Sequence, residues 1–185
     1  MDFKNILLNT TNIIINKIIQ IFGIIAIIFG FLFLLSLISY SPDDPNFIFS
    51  KNDDIKNFLG FNGSLISDFF FQSIGLISFL IPITIIITGA NVLFKKKILL
   101  FFENLFFIVL YSLVGSIYLS LFYKDSFFLS ISGNGGFIGN FLAESFVKEI
   151  VIINEDISYY FLITFIIILF LQSINFKFNY LILFK

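Results

Sequence analysis

The chain has 185 residues, 58% of them hydrophobic and only 12% charged, with a formal net charge of −1 and a mean hydropathy of +1.03. A soluble domain of this length needs far more polar surface, so the expected solvent is lipid. Cys and His are both absent, which removes disulfides, thiol and Ser-His nucleophiles and the usual zinc ligands. The near-neutral charge speaks against a broad nucleic-acid-binding surface.

Every basic residue is Lys, and Phe reaches 30 residues. Phe, Ile, Asn and Lys share A/T-rich codons, so this bias reads as genome composition rather than mechanism.

Residues 1–17 ("MDFKNILLNTTNIIINK") read as a short cytoplasmic lead-in with no ligand motif. A helix crosses the hydrocarbon core with about 20 apolar residues. Four stretches supply them, at residues 18–40, 69–94, 98–123 and 157–176. A central Ile, Leu or Phe favours insertion by roughly 0.3–0.6 kcal/mol, whereas a central charge costs about 2.5–3.5 kcal/mol. Only the span at 98–123 contains a charge, Glu103. The first span is expected to be a retained anchor, because its apolar run is too long for a signal peptide and no A-x-A-like site follows it.

After that span comes "SYSPDDPNF". Ser41 precedes a proline and is biased away from helix, and Pro42 brings no amide donor. Asp43 and Asp44 must stay in water, and Pro45 keeps the helix from resuming. The acids Asp43, Asp44, Asp53 and Asp54 lack the spacing of a calcium loop, so no metal site is expected. Gly60 and Gly63 mark turns, and Ser64 or Asp68 is expected to cap the helix that follows. Pro82 falls inside the second span and is expected to kink it, with Thr84 and Thr88 re-satisfying the freed backbone groups.

The turn "FKKKILL" carries Lys95, Lys96 and Lys97. Glu103 lies six residues past Lys97, about 9 Å along a helix, within reach of headgroups or of the lysine cluster. On the third span Ser112, Ser116 and Ser120 recur every four residues beside Gly115, a seam for close packing either within the chain or between copies. The next loop holds Gly133, Gly135, Gly136 and Gly139. Ile138 stands where a dinucleotide fingerprint needs glycine, so this segment reads as a turn rather than a phosphate cradle. It leads into an amphipathic helix with Phe137, Ile138, Phe141, Leu142 and Phe146 on one stripe, opposite Asn140, Glu144 and Lys148. Tyr159 and Tyr160 suit an interfacial aromatic belt.

Orientation follows from the lysines. With the N-terminus in the cytoplasm, the inner segments hold Lys4, Lys17, Lys95, Lys96, Lys97, Lys177 and Lys185, and the outer loops hold only Lys51, Lys56, Lys124 and Lys148. Positive-inside bias therefore places both termini and the 177–185 tail in the cytoplasm. The expected fold is an all-α integral membrane protein with four transmembrane helices across residues 18–176 and a short amphipathic helix in the second periplasmic loop.

"SYSPDDPNF" after the first span, "FNGSLISDFFFQSIGLISFLIPI" into the second and "GNGGFIGNFL" before the last resemble the N-terminal four-helix membrane domain of the FtsK/SpoIIIE-type DNA translocases. The likeness runs over roughly residues 15–176, and the order of spans and the lysine-rich middle turn match as well. The positions that carry it, and that the resemblance marks as possible partner contacts, are Ser41, Pro42, Asp43, Asp44, Pro45, Gly63, Asp68, Gly75, Pro82, Gly135, Gly136 and Gly139. The resemblance implies a bacterial inner-membrane anchor at the division septum, serving cell division and chromosome partition. It also implies contacts with divisome membrane proteins and a hexamer. No Gly is followed by Lys, so these residues hold no Walker A loop. The chain is expected to be no enzyme, to need no cofactor and to bind no nucleic acid directly; it reads as a fragment, a split-gene product or a stand-alone anchor. The rival reading is a small multi-pass transporter or channel subunit. That would need polar groups converging at mid-membrane, where Gln72, Thr84, Thr88, Ser112 and Ser116 look scattered.

Overall fold

The computed structural model describes residues 3–46, 54–125, 129 and 131–176, and these residues form helices and connections with no strand among them. Helix α1 spans Phe3–Ile38, α2 Gly60–Ile74, α3 Leu80–Lys95, α4 Leu99–Phe122, α5 Gly136–Leu142, α6 Lys148–Ile153 and α7 Glu155–Ser173. A 3-10 segment, Gly75–Phe79, joins α2 to α3, and a π-helical segment, Ala143–Val147, joins α5 to α6. Four stretches are long and apolar enough to cross a membrane: Thr10–Ile38, Gly60–Lys95, Leu99–Phe122 and Glu155–Ser173. The expected lysine turn is present. Lys96 takes a left-handed conformation (φ 54) and closes α3 by donating its amide to the Val92 carbonyl at 2.9 Å. At the start of α7, Asn154 accepts the Ile157 amide at 3.4 Å, and Glu155 and Asp156 complement the helix dipole.

The second span departs from expectation in two ways. Its helical path begins at Gly60 rather than at residue 69, so Ser64 and Asp68 sit inside α2 and cap nothing. The path is broken at Gly75, not at Pro82. Gly75 has φ +72 and ψ −151, a region open essentially to glycine alone. Pro82 is the third residue of α3, in the first turn, where a missing amide hydrogen removes no helical bond. Thr84 bonds the Leu80 carbonyl at 3.0 Å. The five 3-10 residues and the sixteen of α3 together rise about 34 Å. That suffices for a hydrocarbon core of about 30 Å, so α2 is left over as an additional helix at the Pro42 end.

Helix α1 packs along α3, α4 lies between α3 and α7, and α5 packs on α2 and α4. The pattern is inside out relative to a soluble bundle. Buried positions include Ser36, Ser64, Ser67, Ser78, Thr84, Thr88, Asn104 and Ser116, while Ile18, Ile25, Phe29, Phe106 and Ile167 are exposed. Lipid is as apolar as Leu, so nothing drives large side chains inward, and small residues that permit close approach take the interfaces. Gly23 and Gly89 show this directly. A Cβ on either would stand 2.8 Å from the other's carbonyl oxygen. The large buried residues Phe33, Leu37, Phe71, Ile74, Ile81, Tyr111, Leu129 and Leu169 form the apolar core.

The mid-span polar groups are less scattered than the sequence suggests. Thr84 meets the Tyr111 hydroxyl at 3.1 Å and Ser173 at 3.3 Å. Asn104 donates to Thr88 at 2.7 Å and accepts from Asn175 at 2.5 Å. Asn91 donates to the Ile174 carbonyl at 3.2 Å. These bonds tie the end of α7 to α3 and α4, while the buried hydroxyls of Ser78, Ser112 and Ser120 have no hydrogen-bond partner among the described residues.

Candidate functional site: two clasps at the Pro42 end

The first clasp is built by the segment that leaves α1. Asp44 is buried, and its carboxylate accepts two consecutive backbone amides, Lys56 and Asn57, each at 2.9 Å. A carboxylate held by amides makes strong, charge-assisted bonds. Asn57 is buried too; its side-chain amide donates to the Ser36 carbonyl at 2.9 Å, and its oxygen accepts the Leu59 amide at 3.1 Å. Ser36 donates to the Gly63 carbonyl at 2.6 Å, and Ser64 donates to the Pro45 carbonyl at 2.7 Å. A Cβ at Gly63 would collide with the Asn57 side chain and lie 2.6 Å from Leu59 Cβ. Asp43, by contrast, faces water and pairs with Lys56 at 2.9 Å, an exposed pair that contributes little. Among the described residues Ser41 hydrogen-bonds only locally, to the amides of Asp43 and Asp44.

The second clasp joins the Gly-rich turn to the break in the second span. The Leu76 amide donates to the Asn134 carbonyl at 2.9 Å. Ser116, on α4, donates to the Ile74 carbonyl at 3.1 Å and also to the Gly135 carbonyl. Gly136 (φ +69) fits because a Cβ there would stand 2.6 Å from the amide nitrogens of both Ile74 and Gly75. Gly139 lies so close to the Ser116 backbone that a Cβ would fall 2.7 Å from its carbonyl carbon. Asn134 fixes the turn by donating to the Tyr123 and Asp125 carbonyls at 2.8 and 2.7 Å. The Ser112–Ser116–Ser120 seam is thus intramolecular, with Gly115 against Ile77 and Ser120 against Gly135 and Gly139.

A polar chain connects the two clasps. Ser132 donates to Gln72 at 2.6 Å, Gln72 reaches Tyr40 and Asp68 at 3.5 Å, and Tyr40 donates to Asp68 at 3.3 Å. Burial first, then the Asp68 carboxylate, pushes the Tyr40 phenol up to about 12. It therefore stays protonated and remains a donor.

The structure brings together Pro45, Asp44, Gly63 and Asp68 around the first clasp and Gly75, Gly135, Gly136 and Gly139 around the second. It does not bring Pro82 or Lys95–Lys97 there. Pro82 backs the α1–α3 contact, with its carbonyl 3.2 Å from where a Cβ on Gly30 would sit. The lysines lie at the opposite end of α3. Sequence reasoning missed Asn57, Ser36, Asn134 and Ser132, since single Asn and Ser residues carry no spacing signal. It also missed the Gly23–Gly89 approach, for which the small residues Gly23, Ala26 and Gly30 were the legible sign. The proposed amphipathic stripe splits. Helix α5 turns Gly136 and Gly139 inward, as the next segment does Ala143, while Phe137 and Phe141, both 68% exposed, stack outside at 6.3 Å. The side chain of Phe146 lies outside the described residues. Tyr159 meets Tyr118, Phe122 and Tyr123 in a ring cluster where α4 ends and α7 begins.

Four apolar helices, two backbone clasps at one end and lysines at the other define a multi-pass membrane domain. The chain matches the family described as the 4TM region of DNA translocase FtsK/SpoIIIE over residues 16–182 and belongs to it. Among curated proteins it is 32% identical to "DNA translocase FtsK" of Rickettsia prowazekii over 170 residues, covering 88% of this chain and 21% of that protein. It is 31% identical to the protein of the same name in Rickettsia typhi over 140 residues, covering 74% of this chain and 19% of that one. The chain thus spans about a fifth of the length of these relatives. No solved structure matches it.

Proposed function

We propose that these residues are the membrane anchor of an FtsK-type DNA translocase, working at the division septum of a bacterial inner membrane in cell division and chromosome partition. The observation that carries the reading is the family match over residues 16–182, and the clasps give its motif residues a physical task. The lysine turn and both termini face the cytoplasm, and the clasps face the periplasm, in keeping with the distribution of lysines. No motor activity resides in this chain, which contains no Gly-Lys pair. Its part is to hold a translocase at the membrane and to present the clasped loops to divisome membrane proteins, as one copy in a homo-oligomer.

The test is a fluorescent fusion compared with its Pro42→Leu, Asp43→Leu, Asp44→Leu variant. The native fusion concentrates at midcell and crosslinks to division proteins; the variant inserts but spreads around the envelope. Uniform distribution of the native fusion would overturn the septal role. Midcell enrichment of the variant would reduce the Pro-Asp-Asp-Pro stretch to a helix stop.

A further inference from the structure

At the lysine end, α3 and α4 are joined by Lys96, Lys97 and Ile98 alone. Lys95, Lys96 and Lys97 are all exposed, and none makes an ion pair with a described residue. The Gly23–Gly89 contact sets the register of α1 against α3. Six residues toward the lysine end from each glycine, about 9 Å of rise, lie Lys17 and Lys95. A fourth exposed and unpaired cation therefore stands at the level of the turn. Glu103, the acidic residue nearest along the chain, is exposed and neutralises none of them.

Directly beneath the turn, the same two helices enclose a groove of about 200 Å³, lined by Ile81 and Ile85 of α3, Phe101, Leu105 and Ile108 of α4, and Phe70 of α2. Thr88 and Asn104 also line it, but they bond each other at 2.7 Å. The groove therefore offers an apolar wall. Phe101, four residues past Lys97, stands at its upper edge in edge-to-face contact with Phe22 at 5.1 Å.

We propose that this end of the bundle is a binding site for an anionic phospholipid, with the headgroup phosphate among Lys95, Lys96, Lys97 and Lys17 and one acyl chain in the α3–α4 groove. The argument is charge complementarity joined to shape. Unpaired lysines at a membrane surface attract anionic headgroups, and their aliphatic stems reach the interface. The groove begins where a chain descending from that headgroup enters the hydrocarbon. The site rests on the membrane reading but not on which face of the membrane holds the lysines.

The chain contains no Trp, so one introduced Trp reports alone. Phe102→Trp places it on α4 next to Phe101 of the groove, and Phe161→Trp places it on α7 at the end away from the lysines, both at exposed positions. In vesicles doped with brominated phosphatidylglycerol or brominated phosphatidylcholine at equal mole fraction, the Phe102→Trp reporter shows about threefold or greater preference for the anionic lipid, and the Phe161→Trp reporter shows none. Added Lys95→Gln, Lys96→Gln and Lys97→Gln abolishes the preference, and so does Ile85→Phe, which fills the groove with every lysine in place. Equal quenching of the Phe102→Trp reporter by the two lipids overturns the site, as does a preference untouched by Ile85→Phe. Quenching of neither reporter by either lipid overturns the membrane reading itself, and the site with it.

Discussion

Gly75→Ala is the sharpest perturbation of the clasps. At φ +72 and ψ −151, an alanine is strained by about 1–3 kcal/mol. Its Cβ would also collide with the Asn134 carbonyl oxygen and lie 2.8 Å from the Gly135 carbonyl carbon. Relief requires the turn to move away, breaking the 2.9 Å bond from the Leu76 amide to Asn134 at about 1 kcal/mol. The Ser116 bonds to Ile74 and Gly135 are strained as well. The expected loss is about 2–5 kcal/mol, measured as reversible unfolding in mixed micelles. Gly60→Ala is the control, because Gly60 also has positive φ (+63) but nothing lies within 4 Å of its Cβ position. It should lose only the conformational cost, about 1–2 kcal/mol. If the two variants agree to within about 0.5 kcal/mol, the close backbone approach contributes nothing and the reasoning fails.

Three other outcomes follow from the same geometry. Asp44→Asn sets an amide donor against one of two backbone donors and should cost about 1–3 kcal/mol. Hydrogen exchange at Lys56 and Asn57 should then accelerate about tenfold or more, and unchanged protection would contradict the clasp. Asn104→Ala leaves Thr88 without a donor and should cost about 0.6–2 kcal/mol in micelle unfolding, whereas Asn91→Ala, which removes one peripheral bond, should cost less. Tyr40, raised to about 12 in the folded state against 10.0 unperturbed, keeps its stabilising bond to Asp68 below pH 10. It loses that contribution as pH climbs from 10 toward 12. The ultraviolet titration difference between the native chain and Tyr40→Phe should show a phenol ionising near 12, and a midpoint near 10 would contradict its burial.

Much of the scaffold was legible because apolar length is a strong signal. The third span, read at 98–123, is helix Leu99–Phe122, and the fourth, read at 157–176, is Glu155–Ser173. The break in the second span was not legible. Pro82 is the conspicuous helix breaker in sequence, but near a helix N-terminus its defect is harmless. Gly75 is marked in the sequence by the resemblance alone, and its role as the break comes from a positive φ and the approach of Asn134, both tertiary features. The α5 stripe is legible as a pattern, but it does not say which face packs on the protein. In lipid or at its edge, an aromatic stripe does not identify the packed face, which here belongs to Gly136, Gly139 and Ala143. Of the site, the glycines and the Pro-Asp-Asp-Pro stretch were visible as motifs. Their partners are set by tertiary contacts beyond any local pattern: Asn57 to Asp44 across 13 residues of chain, Ser116 to Ile74 across 42, and Asn134 to Leu76 across a longer stretch still.

The account depends on the clasps and the lysine turn lying on opposite sides of a membrane. The chain has no cysteine, so Asp43→Cys and Lys96→Cys can each be labelled singly, in intact spheroplasts, with a membrane-impermeant maleimide. Asp43→Cys should react at once, and Lys96→Cys only after permeabilisation. Labelling of both from the same side would contradict the four-span arrangement.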